Sequence, residues 1–194
     1  MGSTDPFDRF ASLFDHVTSL EIPEPNAMCL STVDSSGRPS SRMVLLKDFD
    51  ARGFVFYTNL ESRKATEIAA NPAVALNFFW QSIARQVRIE GDATAVDTQE
   101  ADAYFASRAR GSQIGAWASA QSRELSDRAT LLERVVEIEQ RYDGLPIPRP
   151  PFWSGFRVVP RRIEFWTGEE FRLHEREIYE RAEEGSWREF LLYP

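Results

Sequence analysis

The sequence holds a single cysteine, Cys29, and only two histidines, His16 and His174, in 194 residues. One thiol cannot close an intrachain disulfide, so the chain suits a reducing compartment, and so few soft ligands do not make up a transition-metal site. No run approaches the roughly 18 apolar residues of a membrane-spanning helix, and the opening MGSTDPFDRF has no apolar signal core. Positive charge is scarce: 23 lysines and arginines against 30 acidic residues give a net charge of −7 with no basic tail or block, which excludes nucleic acid and an anionic membrane surface as the main partner. These absences lead to the expectation of a cytoplasmic protein. What is present, 42% hydrophobic and 27% charged residues, is the composition of a soluble globular chain long enough for one domain with a real core.

Residues 1–25 read as a helix and linker. Phe10, Leu13, Phe14 and Val17 recur at spacings of three and four between Asp8 and Leu20, a packing helix that breaks at Pro23 and Pro25. Ala27 to Val33, Met43 to Leu46, Phe54 to Tyr57, Ala73 to Phe79 and Gln86 to Val96 read as strands, parted by turn signals such as Asp34-Ser-Ser-Gly37 and by one helix. Their short connections imply antiparallel pairing, so the expected fold is mainly β with α: a barrel or strongly curled sheet with peripheral helices. Ser126 is the expected cap of a helix carrying Leu131, Val135, Ile138 and Tyr142, ended by Gly144 and Pro146. LPIPRPPF, 145–152, is a stiff connector too short to separate domains, so 1–194 reads as a single domain. Gly155 to Trp166 is a further strand, and Glu177 to Arg181 with Ser186 to Leu192 closes as a hairpin.

Three groups of cations call for explanation. Arg63 and Lys64 follow the expected N-cap Ser62 of a helix that runs to Asn71-Pro72, and a helix start favours anions over cations. A phosphate monoester there would account for them; so would a solvated mixed surface that also carries Arg42 and Lys47, which point to opposite faces of their strand. Tyr104 and Arg108 share a helix face, with Ser112 just beyond Gly111, as an anion site or as an ordinary interhelical contact. In FRLHER, an extended segment places Arg172, His174 and Arg176 on one face, which suits a bound anion or π-system, or else a solvated strand.

Laid side by side, RMVLLK (42–47), FVFYTNLESRKA (54–65), RQVRIEG (85–91), YFASRARGSQIGAWAS (104–119), QS (121–122), PFWSGFRV (151–158), IEFWTG (163–168) and RLHER (172–176) resemble the pyridoxamine 5′-phosphate oxidase family. The resemblance covers residue 26 to the C-terminus. It implies an FMN-binding split β-barrel acting as a homodimer, with each flavin held by both chains, and oxidation of pyridoxamine or pyridoxine 5′-phosphate to pyridoxal 5′-phosphate with dioxygen as electron acceptor. The implied FMN contacts are Arg42, Met43, Val44, Leu45, Leu46, Lys47, Tyr57, Thr58, Arg63, Lys64, Gln86, Gln121, Ser122, Trp166 and Arg176. Implied substrate contacts are Lys47, Tyr104, Arg108, Ser112, Arg172 and His174, the last two at the reacting end of the substrate.

The chain departs from the family pattern in three places. The opening stretch has no Arg-x-x-Tyr of the kind that helps cover the substrate, only Arg9 and Phe10; Glu175 replaces the usual aspartate, and Ala109 a common proline. Two alternatives remain at this stage. A sister flavin oxidase of phenazine biosynthesis shares the barrel and the RLHER ending, and a non-catalytic carrier could bind flavin or pyridoxal phosphate without turnover.

Overall fold

A computed structural model describes residues 5–194; Met1–Thr4, part of the opening stretch expected to lack a signal core, lie outside the described residues. In chain order the elements are α1 (Pro6–Ser19), β1 (Ala27–Val33), β2 (Pro39–Leu45), β3 (Asp48–Asp50), β4 (Gly53–Asn59), α2 (Arg63–Ala70), β5 (Ala73–Trp80), β6 (Arg85–Ala95), α3 (Thr98–Ser107), α4 (Arg110–Ala118), α5 (Arg128–Arg141), β7 (Trp153–Thr167), β8 (Glu175–Arg181) and β9 (Trp187–Leu191).

Every strand pairing is antiparallel, in the order β2-β1-β5-β6-β7-β4-β3, and β8 and β9 branch from β7. The fork lies within β7. Its first half pairs β4 over Trp153–Val158, its second half pairs β8 over Arg162–Thr167, and β6 follows it along the other edge with a bulge at Glu90/Gly91. A bulge bends and twists a strand, so one continuous sheet curls into a split barrel.

The barrel is filled from one side by α1. Asp5 caps this helix by accepting from the Phe7 N–H at 2.7 Å, and Pro6 occupies the first turn, where its missing donor costs nothing. Phe10 is wholly buried, edge-on to Phe49 at 4.8 Å and Phe54 at 4.9 Å, so the packing role expected for this helix holds. Gly53 opens β4 at φ 141°, and a Cβ there would sit 2.1 Å from the Val158 carbonyl oxygen, so only glycine admits this turn.

Two local expectations, the cap of α5 and the extended FRLHER segment, are corrected; Ser62 holds its expected N-cap position, and α4 is an element beyond those expected. Asp127, not Ser126, caps α5: the extended backbone falls on Asp127, whose carboxylate accepts from the Thr130 N–H at 2.8 Å, while Ser126 bonds the Thr130 hydroxyl. Ser62 stands at the N-cap of α2, yet its hydroxyl donates to the Asn59 carbonyl, leaving the first-turn N–H groups without a side-chain cap. RGSQIGAWA, with two glycines, forms α4 because Ile114 and Ala118 pack in one cluster with Ile138 of α5. FRLHER is not a strand through its length. Glu170–Arg172 is a 3₁₀ turn with Phe171 at φ 56° and Arg172 at φ 63°, and β8 starts only at Glu175, so the alternation that would align Arg172, His174 and Arg176 is broken.

Candidate active site

A cleft of about 630 Å³ opens between the end of β2, the middle of β4, the start of α2 and the α3–α4 corner. It gathers Met43, Val44, Leu45, Lys47, Tyr57, Thr58, Lys64 and Gln121 from the expected flavin contacts, and Lys47, Tyr104, Arg108 and Ser112 from the expected substrate contacts. Lys47 reaches it from just beyond β2, its backbone N–H fixed to the Val55 carbonyl at 2.9 Å.

Lys64 is the centre of the first polar group. Its side chain is 8% exposed, and its ammonium donates to Gln121 Oε1 at 2.7 Å, Thr58 Oγ1 at 3.1 Å and Ser62 Oγ at 3.2 Å. All three partners are neutral. Burial, with the Arg42 guanidinium adding repulsion, pushes its pKa down to about 8. A buried ammonium with no carboxylate partner among the described residues, at a helix start with no side-chain cap, is a site suited to an anion.

The second group stands at the α3–α4 corner. Tyr104 lies in the last turns of α3, Arg108 is its C-cap and Ser112 falls in the first turn of α4, so the expected trio converges across two helices rather than at the end of one. Arg108 Nη1 is buried without a hydrogen-bond partner, and burial lowers the guanidinium's pKa. An orphaned buried N–H on a cation is costly unless a ligand completes it. Tyr57, stacked on Tyr104 with ring centres 4.0 Å apart, is pushed up to about 12 by burial and by the charge of Glu100, so it stays a neutral phenol.

The remaining expected contacts do not line this cleft. Leu46 is in the core, and Ser122 lies just past Gln121 with φ 71°. Arg42 and Arg63 turn to Glu67, a buried carboxylate that accepts from Arg63 Nε at 2.8 Å, Arg42 Nη2 at 3.2 Å, the Ser40 hydroxyl at 2.7 Å and the Thr32 hydroxyl. Gln86, Trp166, Arg172, His174 and Arg176 lie apart from the cleft, a branch group by position: on β6, on the second half of β7 and on the segment that runs into the start of β8. Gln86 pairs with Trp166 across β6 and β7, Trp166 pairs with Arg176 across β7 and β8, and the His174 ring lies 4.7 Å from Trp166. Arg176 is held by Glu164 through Nε at 2.8 Å and Nη2 at 3.1 Å, and the Glu169 N–H donates to His174 Nδ1 at 3.0 Å. Arg9 and Phe10 are elsewhere: Arg9 pairs with Glu177 over the Phe165 ring and Phe10 is in the core, so neither covers the cleft.

Asn59, Trp153, Gly115, Ala116 and Ser119 also line the cleft and were not anticipated. The signal for Trp153 is the β4–β7 register, which sets it opposite Asn59 and cannot be read from either segment alone.

Comparison with known proteins bears on the same residues. The family described as pyridoxamine 5′-phosphate oxidase matches residues 15–142, and the pyridoxine 5′-phosphate oxidase C-terminal dimerisation region matches residues 153–194. A pyridoxine/pyridoxamine 5′-phosphate oxidase of Myxococcus xanthus strain DK1622 is 60% identical over 98% of this chain and 92% of its own. The solved structure of PhzG from Burkholderia lata 383, in complex with tetrahydrophenazine-1-carboxylic acid, is 31% identical, with a TM-score of 0.94 over 100% of this chain and 94% of that one. A pyridoxamine 5′-phosphate oxidase-related, FMN-binding protein from Nostoc punctiforme PCC 73102 shares the fold at 18% identity, with a TM-score of 0.79 over 100% of both chains.

Proposed function

The chain belongs to the pyridoxamine 5′-phosphate oxidase family, and we propose from that premise that it is an FMN-dependent oxidase converting pyridoxamine or pyridoxine 5′-phosphate to pyridoxal 5′-phosphate in vitamin B6 biosynthesis or salvage. It acts as a cytoplasmic homodimer. The observation that carries this reading is one cleft with two uncompensated cations, Lys64 and Arg108, matching two phosphate monoesters.

FMN, held by these residues, would supply a two-electron acceptor for oxidation at the C4′ carbon, with dioxygen as the final acceptor giving hydrogen peroxide and with water releasing ammonia from the amine substrate. The chain's own work is positioning. Lys64, Thr58 and Gln121 would take the flavin phosphate at the start of α2, with Met43, Val44, Leu45 and Lys47 along the cleft wall; Arg63, next to Lys64 in sequence, is held by Glu67. Tyr104, Arg108, Ser112 and Lys47 take the substrate phosphate. A second copy of the chain brings the branch group, Gln86, Trp166, Arg172, His174 and Arg176, to this cleft, which explains why one chain carries them apart from it. His174 accepts from the Glu169 N–H at Nδ1, so the neutral ring carries its proton on Nε2 and meets the substrate as a donor. Arg172, two residues before it in the chain, would orient the reacting end of the substrate.

The likeness to PhzG supports a second reading, oxidation of a reduced phenazine carboxylate. Lys47 and the Tyr104, Arg108, Ser112 trio suit a phosphate ester and favour the first. An anaerobic mix of FMN-loaded protein with pyridoxamine 5′-phosphate decides it: bleaching of the visible flavin band, then recovery in air with peroxide and pyridoxal 5′-phosphate, is the expected result. A yellow protein that binds the compound and never bleaches returns the phenazine or carrier readings.

A further inference from the structure

The second group straddles the corner between α3 and α4. Tyr104 is near the end of α3, and at Arg108 the chain turns extended, with ψ 147°. Arg108 enters no ion pair among the described residues; its guanidinium carbon lies 4.8 Å over the Trp153 ring and 5.6 Å from Phe105. Trp153 is also parallel to Tyr57, at 5.3 Å and 6°, and to Tyr104, at 6.1 Å and 8°. One indole therefore touches the cation and squares up the phenol that serve the same anion.

Trp153 is itself well fixed. It is 6% exposed, its backbone N–H donates to the Pro150 carbonyl at 3.0 Å, and its backbone carbonyl accepts from Arg149 Nη1 at 2.6 Å. Two residues on, Gly155 leaves room for the stack, since a Cβ there would sit 2.7 Å from the Tyr57 ring. A cation held by a ring face keeps its N–H groups at the rim free for an oxyanion, whereas a carboxylate partner would occupy them.

The geometry points to Trp153 as a positioning residue that sets the preference for phosphorylated over unphosphorylated substrate, by holding Arg108 and Tyr104 where the substrate phosphate arrives; this rests on the oxidase reading above. Trp153 acts through Arg108 and Tyr104, so its effect falls on recognition of the phosphate end of the substrate.

The test compares kcat and KM for pyridoxamine 5′-phosphate and for pyridoxamine, by peroxide release, in FMN-loaded wild type, Trp153→Leu, Trp153→Phe and Gly155→Ala. In Trp153→Leu the ratio of the two kcat/KM values falls about tenfold, carried by KM of the phosphorylated substrate. Trp153→Phe recovers most of it, and Gly155→Ala shifts the ratio in the same direction as Trp153→Leu. A wild-type ratio in Trp153→Leu, or an equal fractional loss on both substrates, overturns the assignment. Should Trp153→Leu fail to load flavin, the ratios of Gly155→Ala and Trp153→Phe decide in the same way. If wild type turns over neither substrate, the oxidase reading falls, and the same ratio taken from the Kd values of pyridoxal 5′-phosphate and pyridoxal decides the role of Trp153.

Discussion

The Lys64 ammonium donates to the Gln121 amide oxygen at 2.7 Å, so a neutral side chain from beyond α4 occupies the place where a buried lysine would ordinarily meet a carboxylate. The arrangement organises the cation without neutralising it. Charge is thus left over for a ligand.

Replacement of Lys64 by methionine removes a charge-assisted donor while keeping the apolar stem. FMN affinity is expected to fall by about 10- to 100-fold, read by quenching of flavin fluorescence on titration. Unchanged affinity would remove Lys64 from the phosphate site.

The same residue gives the site a pH dependence. Its folded pKa of about 8 lies below the ordinary 10.5, so between these values the flavin-free fold holds fewer protons than the unfolded chain, and its stability rises with pH across that window. A phosphate favours the charged ammonium. FMN affinity therefore weakens as pH rises through about 8, and a Kd that is flat from about pH 7 to about pH 9 would contradict the assignment.

Glu67 is a separate stability element. Burial alone would raise its pKa, but hydrogen bonds from Thr32, Ser40, Arg63 and Arg42 outweigh that and hold it at about 2. Its contribution is present above the ordinary 4.5 and is lost as pH falls toward about 2. Glu67→Ala leaves a half-buried guanidinium and two hydroxyls without their acceptor and is expected to cost about 3 kcal/mol, seen as a lower urea midpoint. A midpoint equal to wild type would show that the network contributes nothing.

Arg172→Ala tests the branch group. Turnover is expected to drop by about 100-fold with FMN retained, as for a lost positioning contact. Loss of flavin from that variant would move Arg172 from the substrate to the cofactor.

The strands were legible because alternation of apolar and polar residues survives in a half-buried sheet; helical spacing pointed to the Tyr104, Arg108, Ser112 group, although the fold assembles it across α3 and α4 with Arg108 extended between them. Lys64 was legible through its misfit with the helix dipole. Other features depended on contacts between distant segments. The Arg63 and Glu67 spacing is visible in the sequence, but Thr32 and Ser40 join Glu67 only through the β1–β2 hairpin. Two glycines disguised α4, whose packing on α5 outweighs their weak helix propensity. Two left-handed residues, Phe171 and Arg172, interrupt an alternation that looked continuous.

The separation of the cleft group from the branch group has a genetic consequence under the proposed dimer. A Lys64 variant damages one half of each site and an Arg172 variant the other half. In a hybrid of the two subunits, both lesions collect in one cleft, and the other cleft is assembled wholly from intact halves. Co-expression of two such alleles, each deficient alone, restores oxidase activity in one cell: complementation within a single gene, written into the fork of β7.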